Sequence, residues 1–527
     1  MKQNNLFKMM LIGAGLFSIA SCAEFNPVQN AASSDDITDS KGTRIEILNL
    51  RTETDTKVTL ADTDFAWQEG DTIAVWTGTD DSNGSYQECI VADNGSLPVT
   101  LQEGESRFHY ALYPASIRVE KRYNDTLLRV TLPDSYAYDK VCGDTVRTPM
   151  IAVNNNGSSD LVFYNLASML RLTVSLPKST KKLKIKFHSF FQDHLDRHIS
   201  GEFLVGTPSE PVVVGTSCIR RSNQLAGGVD SIFITNIHDI PESDSTITVN
   251  IPIPIYDKYN DFSISAWDNE GKAIKAEIVH LATDFNATRA HGMRIQRALT
   301  QGTFSISNNR YCIISPANLL YDGSKEAGKR FVFHEKASDV SADLASNEYT
   351  ESATFDTFTY GSSGFNEKYP WVRNKRADYT DLQTTSADWG VYNEISSYKK
   401  ETWVTPLKGD WQSLIDHHIK ATASLDGQKG YILIPINYSG PTIVKDMHYD
   451  VDNVYTTTPT DNWTPVKKAG AVFLPFKMYW TGSNGSTSEK AWYTTNKNSG
   501  SGNDTWHYLK IEEHAGGEFY VRLIHIL

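Results

Sequence analysis

Histidine pairs are the first residues in this sequence whose spacing could support catalysis or metal binding. His194 and His198 are four residues apart, a separation that would place two imidazoles on one face of a helix. The glutamate that directly follows the first histidine in zinc hydrolases, where it acts as the base, is absent. His417 and His418 are adjacent, so on a helix their side chains point in different directions. We therefore predict surface or structural histidines and no metal-dependent hydrolase.

Serine and cysteine nucleophiles are equally poorly supported. Residues 361–364 read Gly-Ser-Ser-Gly, one residue short of the Gly-x-Ser-x-Gly turn that exposes a catalytic serine. Cys312 lies in an apolar run, which favours a buried and unreactive thiol. The remaining cysteines after the N-terminus, Cys89, Cys142 and Cys218, are widely separated, which argues against a zinc site and leaves one or two disulfides open. The sequence predicts a protein that is not an enzyme and has no cofactor.

An acidic cluster follows residue 445 and could offer hard oxygen ligands to a cation. It consists of Asp446, Asp450, Asp452 and Asn453. Ca²⁺ prefers such ligands, but the sequence contains no complete EF-hand loop. A solvated acidic loop is the favoured interpretation, no metal site is predicted, and whether Ca²⁺ binds stays open.

Tryptophans set among Asn, Gly and Ser are the remaining candidates for binding. Trp371, Trp480 and Trp506 stand in such segments. Aromatic faces pack against the C–H edges of sugars, so these three residues are predicted as candidate ligand contacts. The alternative is that their rings hold together a fold with little regular secondary structure.

The composition limits the classes of partner. The chain has 527 residues and a formal net charge of −13. Nucleic-acid binding requires a basic surface, so no nucleic-acid partner is predicted. The one dense basic run, residues 178–186, alternates around Leu183 and Ile185 and indicates a strand with a solvated face.

The N-terminus has the pattern of a lipoprotein export signal. Residues 9–20 are apolar but too few to span a bilayer, and small residues precede Cys22. A signal peptidase that cuts before Cys22 would leave its thiol and amino group for acylation, which anchors a chain to a membrane without spanning it. Residues 1–21 are predicted to be the signal peptide and residues 22–44 a polar tether or propeptide.

The elements that follow are predicted to be short strands. Alternating apolar and polar residues recur, for example over 72–76, 170–174 and 246–251. Clusters of Asn, Asp and Gly separate these runs and indicate turns. Many short strands with turns between them are typical of β-sandwiches.

The order of several short sequence motifs resembles that in the fimbrillin family, whose members are the subunits of type V pili. Residues 57–76 contain a threonine- and lysine-bearing strand followed by Trp67-Gln-Glu-Gly-Asp-Thr-Ile-Ala-Val, similar to the family's W-x-x-G-D-x-I-x-V phrase. Further similar phrases stand at 108–115, 149–152 and 163–172. Residues 173–299 resemble the second fimbrillin sandwich more loosely.

The residue pattern of the sequence changes after residue 300. Aromatic and glycine-containing phrases follow one another, at 315–321, 387–391, 403–414, 430–435, 469–475, 491–495 and 519–523. The series resembles the C-type-lectin-like module at the C-terminus of many bacterial surface lipoproteins and tip fimbrillins.

These resemblances imply a mainly β fold. Two fimbrillin-like β-sandwich subdomains of transthyretin-like Greek-key type, residues 45–172 and 173–299, precede a C-type-lectin-like α+β module at 300–527. The module is expected to fold on its own.

The implied function is that of a structural and adhesive subunit of a surface pilus, at its tip. The expected partners are other pilin subunits, a host or bacterial glycan or protein, and the outer membrane through the lipid. The family further implies proteolytic maturation, with candidate sites at Arg44 and Arg51 on either side of a strand at 45–50 whose removal would admit a neighbour's strand. The alternatives are a permanently closed sandwich and a free-standing lipoprotein that captures polysaccharide for nutrient uptake.

Overall fold

The computed structural model has a mainly β fold, as predicted. It describes residues 44–52, 67–78, 84–122, 125–143, 148–154, 159–187, 199–206, 223–224, 229–240, 245–255, 259, 261–281, 285, 287, 292–342, 344–345, 347–358, 361–372, 382–383, 385–418, 420–441, 460–475, 477–481, 486–492, 509–510 and 519–527. Cys22, the His194/His198 pair, Trp506 and the acidic cluster at 446–453 lie outside these residues. No helix in the described residues is long and apolar enough to cross a membrane.

The first part of the chain builds one folded-back sheet. Its strands are β1 (Arg44–Thr52), β2 (Thr72–Gly78), β3 (Gly84–Ile90), β4 (Ser96–Leu101), β5 (Ser106–Tyr113), β6 (Arg118–Arg122), β7 (Asp125–Leu132), β8 (Ser135–Ala137), β9 (Met150–Asn154) and β10 (Asp160–Asn165). Seven of these ten strands form the folded-back sheet, in the hydrogen-bonded order β3-β2-β5-β9-β10-β1-β4. The edge strands β3 and β4 are consecutive in the chain, so the sheet curls around one core that includes Ile73, Val75, Leu97 and Phe163.

The second part forms a sandwich. Its strands are β11 (Ser168–Ser175), β12 (Lys182–Phe187), β13 (Gly201–Gly206), β14 (Asn223–Gln224), β15 (Ser231–Thr235), β16 (Thr246–Ile253), β17 (Phe262–Trp267), β18 (Ala273–Val279), β19 (Met293–Ala298) and β20 (Gln301–Gly302). The sheet β16-β11-β19 packs on the sheet β20-β18-β17-β12-β15-β8 through alternate apolar side chains. The predicted boundary between residues 172 and 173 falls inside β11.

The two parts exchange strands. β8, from the first part, pairs in parallel with β15 of the second. β13, from the second part, pairs with β7 of the first, and the sheet β14-β13-β7-β6 covers the outer face of β2, β5 and β9. These pairings tie the two parts together.

The third part combines short sheets with helices. Its elements are β21 (Phe304–Ile306), β22 (Arg310–Ile314), β23 (Leu319–Asp322), β24 (Phe331–Phe333), β25 (Thr354–Phe355), β26 (Thr357–Phe358), α1 (Trp389–Tyr392), α2 (Lys408–His417), β27 (Lys420–Leu425), β28 (Gln428–Leu433), α3 (Thr460–Lys468), β29 (Val472–Pro475), β30 (Lys477–Thr481), β31 (Ser486–Trp492), β32 (Leu509–Lys510), β33 (Phe519–Tyr520) and β34 (Ile524–Ile526). β34 pairs with β22, so the two ends of this part meet in one sheet. We call it the third domain.

The third domain shares a core with the second sandwich. The outer face of β18 contributes Ala273, Ala276 and Ile278 to the cluster around Trp389 and Trp403. β20 pairs with β18, and Thr303 Oγ1 donates to the Ala273 carbonyl at 2.7 Å. The contact between the second sandwich and the third domain therefore consists of a shared apolar core and of strand pairing that extends the sheet of β18.

Candidate functional site

β1 lies between two strands that do not pair with each other. Its first part, Arg44–Asn49, runs antiparallel to β4, and its last part, Asn49–Thr52, runs parallel to β10. Asn49 marks the change of partner, because its Nδ2 donates to Asp160 Oδ1 at 3.0 Å and its backbone N–H to the Ser159 carbonyl. β1 thus fills a slot in the sheet.

The side chains of β1 alternate between core and solvent. Leu48 is completely buried and Leu50 is partly buried against the same core, whereas Ile45 and Ile47 are 42% and 54% exposed. Arg44 is exposed at the start of the strand. Arg51 belongs to the strand through its backbone pairing with Val162. The two predicted cleavage positions therefore lie at the two ends of one slot-filling strand.

Of the three predicted tryptophans, Trp371 has a described side chain. Its ring is half-buried and lies on Tyr369, with centroids 4.8 Å apart and planes 9° apart. Behind it, Tyr321 contacts it at 5.6 Å, which joins it to the core of the third domain. The backbone of Trp480 is in β30 opposite Thr487, and its side chain lies outside the described residues.

Two tyrosines of the third domain have exposed rings, and one of them is stacked on Trp371. Tyr369 and Tyr392 are 40% and 39% exposed, and they are the large exposed apolar residues among the described residues of the third domain. Phe365 connects them, since its ring meets that of Tyr392 edge-on at 5.8 Å and its carbonyl accepts from Lys368 N–H, directly before Tyr369. Tyr392 was not singled out from the sequence. The sequence signal that could have identified Tyr392 is its position one helical turn after Asp388, the N-cap of α1.

The two loops that carry these tyrosines hold unusual backbone conformations. Asn366 and Glu367 have φ of 49° and 61°, and Gly364 has φ of 100°. In the loop after α1, Ser396 and Ser397 are also left-handed, at 52° and 70°. Left-handed non-glycine residues cost about 1 kcal/mol each, and such strain concentrates at functional sites.

A cavity of about 300 Å³ lies on the other side of α1, between the second sandwich and the third domain. It is lined by Lys186, Val391, Glu401, Thr402, Val404, His525 and Ile526. Lys186 Nζ donates to the Ile526 carbonyl at 3.4 Å, so the lysine face of β12 is partly covered and not only solvated as predicted. Burial lowers the pKa of His525 to about 3, and its Nδ1–H donates to the Thr402 carbonyl at 2.6 Å. This histidine is neutral at physiological pH.

The remaining serine, histidine and cysteine candidates for catalysis are mostly buried within the fold. Ser362 and Ser363 are buried, and the Ser363 carbonyl accepts from Asn393 Nδ2 at 2.9 Å. His418 is buried with Nδ1 against the Ile434 carbonyl, and burial lowers its pKa. Cys89, Cys142 and Cys312 are free thiols. The described residues contain no group of three or more His, Cys, Asp or Glu placed to hold a metal.

Comparison with known proteins finds distant structural likeness. No family model matches the sequence, and no curated protein matches it. A candidate adhesin from Bacteroides ovatus is 8% identical, with a TM-score of 0.22 over 51% of this chain and 91% of its own. A candidate adhesin from Bacteroides thetaiotaomicron is 10% identical, with a TM-score of 0.24 over 52% and 93%. The tip fimbrial protein Mfa3 from Porphyromonas gingivalis, truncated at its C-terminus, is 8% identical, with a TM-score of 0.20 over 46% and 82%.

Proposed function

We propose that this chain is a structural and adhesive subunit of a surface pilus. In this proposal it holds the terminal position, assembles by strand addition and binds a glycan or a protein through a lectin-like third domain. The observation that carries the proposal is the position of β1, which fills a slot between β4 and β10 and has an arginine at each end.

Removal of β1 would leave a site shaped for another strand. β4 and β10 would each lose a hydrogen-bonded neighbour, and an unpaired strand edge is a template for strand addition. The core residues beneath Leu48, among them Val99 and Phe163, would be uncovered. An incoming strand therefore needs an apolar residue at the position of Leu48 to restore the core.

The arginines at the ends of β1 give two distinguishable products. Cleavage after Arg51 removes the strand together with the tether and the predicted lipid on Cys22. Cleavage after Arg44 leaves the strand in place and the sandwich closed. Only the first product is open to a neighbouring subunit.

The last strand supports a terminal position. β34 pairs with β22, and its Ile524 exchanges backbone hydrogen bonds with Val404 at 2.8 and 2.9 Å. A strand held on both sides inside its own domain is poorly suited to donation. In this proposal the chain accepts a neighbour's strand at the position of β1, and β34 is not a donor strand.

Maturation at Arg51 is the step that tests assembly. Surface material from cells carrying the wild-type chain is separated after mild heating in detergent, and the N-terminus of each band is sequenced. We expect a high-mass ladder whose bands begin at Thr52. Arg51→Ala and Arg51→Lys remove the arginine site and should each abolish the ladder, whereas Arg44→Ala should leave it intact.

Two results would contradict the proposal. Assembled fibres whose subunit begins at Cys22 would exclude strand removal. If the wild-type chain and the Arg51→Ala variant both run only as monomers, the result would instead favour the polysaccharide-capturing lipoprotein.

A further inference from the structure

We propose that Tyr369 and Tyr392 form a glycan-binding surface on the third domain, with Trp371 as the support beneath Tyr369. The inference rests on the proposed adhesive function and names the ligand class and the contact residues. Trp371 is half-buried, so the sequence-based assignment of Trp371 as a direct contact is replaced by its neighbour.

The stack presents one aromatic face in a fixed orientation. Trp371 covers one side of Tyr369, and the nearly parallel planes leave the other side of the tyrosine ring toward solvent. Trp371 is itself held by Tyr321, whose ring stacks on Phe355 at 5.0 Å. A ring held in this way loses little conformational freedom when a ligand packs on it, which favours binding.

A second exposed ring stands at the end of α1 and is linked to the loop of Tyr369 through Phe365. Tyr392 ends α1 and contacts Phe365, and the Lys400 ammonium lies 5.4 Å from the centre of its ring. Exposed polar side chains, Asn366 and Glu367, stand just before Tyr369 in the same loop. Flat apolar faces with amide, carboxylate and ammonium groups nearby match a sugar, which has C–H faces and hydroxyl edges.

The size of the apolar surface favours a glycan over a protein partner. A stable protein interface covers about 800 Å² on each side and has a continuous apolar core. In the described part of the third domain, the large exposed apolar groups are these two rings, and polar residues flank them. Two exposed rings flanked by polar groups suit a glycan better than a protein surface.

Strain in both loops is the independent observation. Left-handed Asn366 and Glu367 precede Tyr369, and left-handed Ser396 and Ser397 follow Tyr392. The Asn393 amide ties the loops together by donating to the Ser363 carbonyl at 2.9 Å and to the Trp389 carbonyl at 3.1 Å. Backbone strain that is held by tertiary hydrogen bonds at the edges of an exposed aromatic pair is typical of a binding site.

The test uses the full mature chain on an array of host and bacterial oligosaccharides, followed by titration calorimetry with the best-bound glycan. We expect Tyr369→Ala and Tyr392→Ala each to weaken binding about tenfold, and the double variant to weaken it further. Tyr369→Phe keeps the ring and should stay within about threefold of wild type. Tyr138→Ala, which removes a half-buried tyrosine from the second sandwich, is the matched control and should bind as wild type.

Each contrary result has a separate meaning. Wild-type glycan binding that survives the double variant would overturn the site. Binding to a protein-coated surface that the same variants abolish, without glycan binding, would overturn the ligand class. A wild-type chain that binds no glycan would overturn the inference even if the pilus ladder forms, while loss of the ladder with glycan binding intact would overturn the assembly proposal alone.

Discussion

Asp261 Oδ1 lies 2.7 Å from His280 Nδ1 where the second sandwich meets the third domain, with the Asp261 side chain buried and that of His280 31% exposed. The second carboxylate oxygen, Oδ2, accepts the backbone N–H of Lys399 at 2.7 Å across the boundary. The Asp261 side chain is fully buried, and burial raises the pKa of its carboxyl group above the ordinary value. One carboxylate therefore satisfies donors from both sides of the contact.

Asp261→Ala should destabilise the folded chain strongly. The substitution leaves the Lys399 N–H and the His280 ring without their shared acceptor, and the loss of a buried acceptor costs about 2 kcal/mol. Urea unfolding measures the change in free energy. The control Asp93→Ala removes an exposed turn carboxylate and should change stability by less than about 0.5 kcal/mol. Equal effects of the two substitutions would contradict a joining role for Asp261.

The third domain should be less stable alone than in the full chain. A fragment of residues 300–527 lacks Asp261 and the apolar residues Ala273, Ala276 and Ile278 that complete its core. We expect a lower urea midpoint and binding of an apolar dye by the fragment. A fragment with the same midpoint as the third domain in the full chain would show that the shared core contributes little.

A lower urea midpoint of the fragment would contradict the sequence-based expectation of an independently folding module. Residues 300–302 are polar and short, which is typical of a linker, yet Gln301 and Gly302 pair with β18 as a strand. Local sequence patterns do not show that the chain leaves the sheet of β19 after residue 298 and pairs with β18 in the opposing sheet. The exchange of β8 and β13 between the sandwiches escaped prediction for the same reason, because it depends on pairing between distant segments.

Local patterns predicted the strands themselves well. Ile73 and Val75 stand at alternate positions of the run 72–76 and are both buried. The Asp-Asn-Glu-Gly turn at 268–271 joins β17 to β18, with Asp268 Oδ1 accepting from Glu270 and Lys272 N–H. Alternation decides which face of a strand is buried, and turn residues decide where it ends. Neither pattern says which surface aromatic ring is exposed, and the more exposed ring of the Tyr369–Trp371 stack is that of Tyr369.

Acid should destabilise the third domain through His525. Its pKa is about 3 in the folded state, mainly through burial, and about 6.5 in an unfolded chain, so the folded state favours the neutral ring. This stability is present above pH 6.5 and is lost as the pH falls from about 6.5 toward 3, at up to about 1.4 kcal/mol per pH unit. His525→Gln should flatten the dependence of unfolding free energy on pH.

The lipid anchor depends on Cys22. Cys22→Ala should leave an unprocessed signal peptide or move the protein out of the membrane fraction, because acylation requires the thiol. Cell fractionation and mass spectrometry of the N-terminal peptide measure both outcomes. Cys89→Ala, at a buried free thiol of the first sandwich, is the control and should not change fractionation. Unchanged processing and membrane association in Cys22→Ala would exclude the lipoprotein.

A chain that begins at Thr52 should bind the missing strand as a peptide. Without β1 the first sandwich loses the packing of Leu48, and its melting temperature should fall. A synthetic peptide of residues 44–52 should restore part of the lost stability, by about 2.7 kcal/mol at a hundred times its dissociation constant. A peptide with Leu48→Asp should fail, because the charge would enter the core, whereas Ile47→Asp should still act because Ile47 is 54% exposed. Equal activity of the two altered peptides would mean that the peptide does not enter the slot between β4 and β10, and would contradict strand addition at this site.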